Sequence, residues 1–456
     1  DEYSQLSAYE RKRLKNITEN AKFFAALQLH ESAARLHQIA SRRQSQVTKR
    51  MKPKKMEDET VRRRSMRLQR VDPEGIPVLE TPTRVQEEPE APAGPLPMVL
   101  EDEAGNNELT ENLLTTWKRI SEVKADGAEK HTWDLKRYRN SLSTMVLTAE
   151  NIRKVVRYRV CSMAIHPSES NIFVAAGDTT GQMGLWNVDS TSEEGAHTFV
   201  PHSEPITCMY FSPCNPAHLL SLSRTSLRCG DVTRAVFDEI SRTEMHFSSF
   251  DFLEDNASTA VLGQWDGGVA IVDRRTPGTS SELSADIGFS RTRTVHVHPV
   301  KKQYFIAAGS MDVCIYDVRF LRSKGNEPVS SLPGHTKSVA SAYFSPVTGH
   351  RVVTVCADDK LRPPLFSPGV SPCSHDNQTG RWLSRFRAIW EPKRDDCFVV
   401  GSMARPRRVE VFQDTGKLLH TFSNPDCLGS VCSINVVHPT RSVLVGGNSS
   451  GRLHVF

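Results

Sequence analysis

Two short stretches hold the residues whose types and spacing best suit chemistry: Gly380-Arg381-Trp382, and Met403 to Arg408 with Arg405, Arg407 and Arg408. Guanidinium groups bond phosphate oxygens, and an indole ring can stack on an exposed base or wedge into a base stack. Together they are equipped to hold nucleic acid rather than to break bonds. Arg293, Lys360 and Arg362 are weaker candidates for the same surface. The plainer alternative is that Trp382 packs under its loop and the arginines are only solvated. A second pattern is Asp-x-Arg, found as Asp273-Arg274-Arg275 and Asp317-Val318-Arg319. Such an Arg can clamp a partner's carboxylate or form a local salt link with its own Asp. A third is basic: Lys49, Arg50, Lys52, Lys54 and Lys55, then Arg62, Arg63, Arg64 and Arg67. Paired runs of this kind point to phosphate contact or nuclear import.

Other chemistries lack their signatures. The sequence has no Gly-rich phosphate loop, no metal-spaced His/Cys cluster and no nucleophile elbow, so neither catalysis, a cofactor, a metal nor a small-molecule substrate is expected. The 10 cysteines are scattered without a Cys-x-x-Cys pair. Cys161, Cys208, Cys314 and Cys356 lie in apolar strand patterns and read as buried free thiols of a reducing compartment. No apolar run approaches a membrane span. The chain opens on Asp1 rather than Met and reads as a fragment. Its net charge of +5 conceals blocks. Residues 1–70 carry 18 Lys/Arg against 8 Asp/Glu, and residues 71–116 carry 1 against 11. Such asymmetry concerns partners more than fold.

The elements that must position these residues recur along the chain. The stretch from Thr294 to Arg319 reads as three short strands, Thr294–His298, Tyr304–Ala308 and Val313–Asp317, each β-branched or aromatic and closed by turn residues. Equivalent turns end at Pro167, Pro213, Pro299, Pro346, Pro392 and Pro439, spaced 46, 86, 47, 46 and 47 residues apart. The double gap hides a unit whose turn, Asp251 to Glu254, lacks proline. Third strands end near Trp186, Gly230, Val272, Tyr316, Pro363, Phe412 and Phe456. Seven units of about 44 residues match the WD40 period of four strands per blade. One unit cannot bury both faces of its sheet, so the expected fold is all-β, a seven-bladed propeller over 141–456. The last unit lacks an outer strand, which residues within 141–158 should supply; Val155–Tyr158 and Met145–Thr148 are the candidates. In unit five, Pro363-Pro364 should break the third strand, so 363–378 is either unravelled or an error in the sequence.

Before the ring, residues 1–41 predict a helix, with a capping box at Ser7-x-x-Glu10 and apolar residues at helical steps. Residues 42–70 read as a disordered basic arm and 71–112 as a Pro-rich acidic linker; residues 113–140, with Trp117, Ile120, Trp133 and Tyr138, read as short helices. In a propeller, loops from an outer strand to the next unit share a face with second-to-third-strand loops. Residues 380–382 and 403–408 should therefore meet.

Beyond pattern, the chain resembles the DNA-damage-binding WD-repeat family. The resemblance rests on Tyr9–Leu14 with Asn20–Phe24, Arg62–Leu68, Arg293–Pro299, Thr379–Leu383 and Gly401–Arg408. More distantly, Leu383–Pro392 is similar to the smaller subunit of UV-damaged-DNA-binding complexes. There the positions matching Gly380, Arg381 and Trp382 form a lesion wedge of different chemistry, so the likeness implies affinity for nucleic acid but not lesion specificity. The Asp-x-Arg pairs resemble those of WD-repeat substrate receptors that dock a cullin-4 ubiquitin-ligase adaptor. The resemblance therefore implies a nuclear protein of the DNA damage response whose partners are DNA, chromatin proteins and that adaptor. The competing reading is a peptide- or histone-binding WD40 scaffold with no DNA site on the propeller.

Overall fold

The computed structural model describes Thr18 and residues 92–100, 107–122, 134–190, 195–362 and 373–456. Apart from Thr18 these belong to Val85–Phe456, the second of the two units into which the chain divides. The expected helix over 1–41, the basic arm, Trp133 and residues 363–372 lie outside the described residues, Thr18 aside.

The described strands form seven antiparallel sheets, the blades of a propeller. The first-read unit becomes blade four, with strands Thr292–Val297, Tyr304–Gly309, Val313–Asp317 and Ser330–Ser331. Its second strand is buried almost throughout, as a strand between two neighbours must be. The His-Pro turns work through the imidazole. His298 Nδ1 accepts the N–H groups of Val300 and Lys301 at 3.2 and 3.0 Å, and His438 Nδ1 accepts those of Thr440 and Arg441. Each ring thus satisfies turn donors that the ladder leaves unpaired.

The seventh blade, Ile434–Val437, Leu444–Gly447 and Arg452–Val455, closes on Ile152–Lys154, with Ile152 opposite His454. The closing strand falls inside the expected window but between the two candidates. Val155 and Val156 instead turn inward, their N–H groups donating to the Gly451 carbonyl. Blade five keeps a three-residue third strand, Lys360–Arg362, and an outer strand of only Cys373–Ser374. His335, matched by sequence to a structural WD-repeat histidine, has both ring nitrogens buried without a hydrogen-bond partner, and burial lowers its pKa to about 4.

Among the described residues, two helices run just before the ring. Helix α1 spans Asn107–Glu122 and α2 spans Leu135–Thr144. Leu113, Trp117 and Ile120 recur on one face of α1 and join the apolar cluster of blades one and two, with Phe173, Phe211 and Leu219. Trp117 is wholly buried; its Nε1 donates to the Pro216 carbonyl at 3.0 Å. Helix α2 seats Tyr138 and Leu142 on blade six, where Tyr138 Oη donates to Glu391 Oε2 at 3.1 Å. Burial pushes that carboxyl up to about 7, although the Tyr138 hydrogen bond, Lys393 and Arg394 oppose the shift.

The stretch expected to be a linker through residue 112 has structure in its second half. Leu96–Pro97 adds a fifth strand to blade two, and Pro92 and Gly94 offer their carbonyls to Arg228 at 2.5 and 3.0 Å. Proline is tolerated there because the strand is an edge.

Candidate nucleic-acid interface

The two stretches that opened the sequence argument stand on one end of the ring. Residues 380–382 lead into the first strand of blade six, and 403–407 join its second strand, Cys397–Ser402, to its third, Arg408–Gln413. Leu383 and Phe386 share an apolar cluster with Met403, which ties the bases of the two loops together. Trp382 is 69% exposed and does not pack under its loop. Its ring folds back over Gly380, where a Cβ would lie 2.8 Å from the indole, and Gly380 itself sits at φ +63°. Only glycine leaves room for that arrangement. The indole is supported from one side and open on the other.

The arginines differ in what already holds them. Arg381 and Arg405 are exposed, and neither side chain makes a hydrogen bond among the described residues. Arg407 Nη1 donates to the Met403 carbonyl at 2.6 Å, and Arg408 pairs with Glu410 at 2.6 Å. Lys360 is exposed at the start of its strand. Arg362 is not a surface group. It is buried, pairs with Asp358 at 2.6 Å and donates to the Gly334 carbonyl at 2.6 Å. Arg293 lies half-buried over Trp265, its guanidinium carbon 5.1 Å from the ring centroid.

Arg293 belongs to a set that sequence reasoning largely missed. A cavity of about 430 Å³ opens at the channel mouth, lined by residues of or just before all seven innermost strands. Its lining carries Arg159, Arg224, Arg291, Arg293, Arg381, Arg385 and Arg387 and no carboxylate. Arg159 Nη1 donates to the Arg381 carbonyl, linking the start of blade one to the Trp382 loop. Arg157 and the exposed Tyr158 flank that contact in sequence, the guanidinium 5.5 Å over the phenol ring. The overlooked signal was positional: Arg159 and Arg291 each stand one residue before an innermost strand.

At the opposite ends of the strands, Arg275 and Arg319 each grip their own aspartate. Arg275 Nη2 lies 2.5 Å from Asp273, and Arg319 Nη2 lies 2.6 Å from Asp317. The side chains remain 66% and 59% exposed. The paired guanidinium holds the Asp273 carboxyl down at about 2, and Asp317 is lowered for the same reason. Among the described residues no group of three His, Cys, Asp or Glu side chains is placed to hold a metal.

No protein-family model matches the chain. It is similar to WD repeat-containing protein 76 of Rhinolophus ferrumequinum, with 52% identity over 100% of this chain and 74% of the relative. The protein of the same name from Xenopus laevis is 50% identical over 100% of this chain and 81% of its own length. A more distant relative is DNA damage-binding protein cmr1 of Neurospora crassa, 26% identical over 71% of this chain and 70% of that protein.

Proposed function

This chain belongs to the family of WD repeat-containing protein 76, and from that premise we propose that it binds DNA through the propeller face bearing Arg381, Trp382 and Arg405, as a nuclear, chromatin-associated protein of the DNA damage response. The observation that carries this reading is an open, glycine-supported indole on the same end of the ring as Arg381 and Arg405, which pair with no acid among the described residues. Arg407, Lys360 and the channel arginines add positive potential around it, which draws polyanions and favours phosphate contact, while Arg408 is paired with Glu410. The name of the Neurospora relative, DNA damage-binding protein, supports the ligand class and with it the nuclear setting.

The two residue types should fail differently. Arg405→Gln or Arg381→Gln is expected to weaken every DNA alike and to lower the salt slope by about one unit per lost phosphate contact. Trp382→Ala should leave the slope alone and cost about 1–3 kcal/mol on single-stranded or mismatched DNA, where a base is free to stack. Titration of duplex, mismatched and single-stranded oligonucleotides at several salt concentrations measures both. If Trp382→Ala binds all of them as wild type does, with its fold intact, the stacking reading fails; if the wild-type propeller binds none of them, the peptide-binding scaffold takes its place.

The same proposal gives the opposite face to a cullin-4 ligase adaptor. The Asp273 and Asp317 carboxylates hold Arg275 and Arg319 in fixed, exposed orientations, which reduces the ordering cost of docking. Arg275→Ala combined with Arg319→Ala is expected to abolish co-purification of the adaptor while DNA affinity stays unchanged. Equal recovery of adaptor would remove docking through these arginines.

A further inference from the structure

Besides Arg381, six arginines line this recess: Arg159, Arg293 and Arg387 are half-buried, and Arg224, Arg291 and Arg385 are exposed at its mouth. Their compensation is thin. Arg387 Nη2 donates to the Thr207 carbonyl at 2.8 Å, Arg159 uses Nη1 on the Arg381 carbonyl, and Arg385 Nη1 reaches Ser338 Oγ at 3.4 Å. Yet the Nε atoms of Arg159 and Arg293 are buried without a hydrogen-bond partner. Burial, with Arg385 and Arg291 close by, pushes Arg293 down to about 10; burial and Arg291 lower Arg385 as well. Asp251, an acid near the recess, is engaged elsewhere, its Oδ2 accepting the Val297 N–H at 2.6 Å and lying 3.9 Å from His296. Like charges held together with unmet donors are costly, and an anion bridging them relieves both costs. Trp265 fixes the planes of two members, with Arg291 and Arg293 at 6.0 and 5.1 Å from its ring.

The volume and the charge together select the anion. A duplex is too wide to descend into about 430 Å³, so its phosphates stay at the rim. A nucleotide of single strand brings one diester charge. Six cations in one recess call for several negative charges in a compact frame. We propose that the channel mouth is a binding site for a compact polyphosphate, a small molecule with two or more phosphate groups, of the inorganic polyphosphate or inositol phosphate class. On the DNA reading above, such an anion also competes with DNA for this face.

Thermal melting of the full chain with tripolyphosphate, inositol hexakisphosphate, inorganic phosphate and oligo-dT, at matched ionic strength, tests the site. One or both polyphosphates should raise Tm saturably, by about 4 °C at roughly 100 times Kd. Inorganic phosphate should do little. The triple variant Arg291→Gln, Arg293→Gln, Arg385→Gln should lose the rise, and without ligand should melt no lower than wild type because repulsion has been removed. Should the triple variant fail to fold, Arg293→Gln alone is read in the same assay; its side chain gives up no hydrogen bond among the described residues. Arg405→Gln should keep the rise. Absence of a saturable rise with either polyphosphate, or a rise that survives in the variants, overturns the proposal. So does oligo-dT matching the polyphosphates and failing in the same variants, which would make the recess part of a nucleic-acid path. A chain that melts higher with a polyphosphate but binds no oligonucleotide keeps this site and loses the DNA reading.

Discussion

Trp117→Ala is expected to destabilise the folded protein by about 4 kcal/mol, as truncation of a buried large aromatic does. The ring is wholly buried, stacked on Phe173 at 6.0 Å and edge-on to Phe211 at 5.9 Å. Nothing nearby can fill its place cheaply, because Phe173 and Phe211 belong to blade strands whose register is fixed by their ladders. The loss should also loosen α1, whose Ser121 Oγ lies 3.0 Å from His166 Nε2 at the far end of the same contact. Trp117→Phe separates the contributions. It keeps most of the apolar area and orphans the Pro216 carbonyl, so about 1–2 kcal/mol is expected. Urea denaturation followed by circular dichroism measures both. A cost below about 1 kcal/mol for the alanine variant would mean that α1 is only laid against the ring.

Glu239→Gln is expected to cost a comparable amount, about 3–5 kcal/mol, because it strands a buried cation. Arg228 has no exposed side-chain surface, and its charge partner is Glu239 at 2.9 Å. Glu239 also takes Arg242 at 2.6 Å, so its loss leaves two guanidinium groups facing each other. Replacing Arg228 and Glu239 together by methionine should be milder, since the fully buried cation goes with its partner and only the more exposed Arg242 loses a carboxylate. Arg228 further binds the Pro92 and Gly94 carbonyls. The double methionine variant should therefore expose residues 92–100 to limited proteolysis, even where the ring stays folded. Unchanged cleavage would show that the edge pairing of Leu96 with Phe237 holds this segment by itself.

What the sequence could disclose followed from how local each cause is. The blades were legible because His166, His298 and His438 bond backbone N–H groups two or three residues on, so the same short signal returns in units one, four and seven, with a bare X-Pro turn in three others. Trp382 was legible as a candidate because Gly380, two residues away, is what leaves its ring room. The closing strand was not, because Ile152–Lys154 carries no strong strand pattern and owes its conformation to Arg452–Val455. The channel arginines were scattered from Arg159 to Arg387 and are gathered only by ring closure. Arg362 was misleading for the opposite reason: Asp358, four residues earlier, neutralises it inside the blade.

The closing seam has a consequence for time rather than for energy. Ile152 and His454 are roughly 300 positions apart, yet loop-closure entropy grows only logarithmically, about 0.6 kcal/mol per doubling of length. The join is therefore affordable at equilibrium. Kinetically it is the slow kind of contact, because its two halves must wait for the intervening blades to bring them together. Contacts that form late do little to hasten folding and much to slow unfolding. Three pairs of residues thus act as a latch, setting how long the ring stays shut once made.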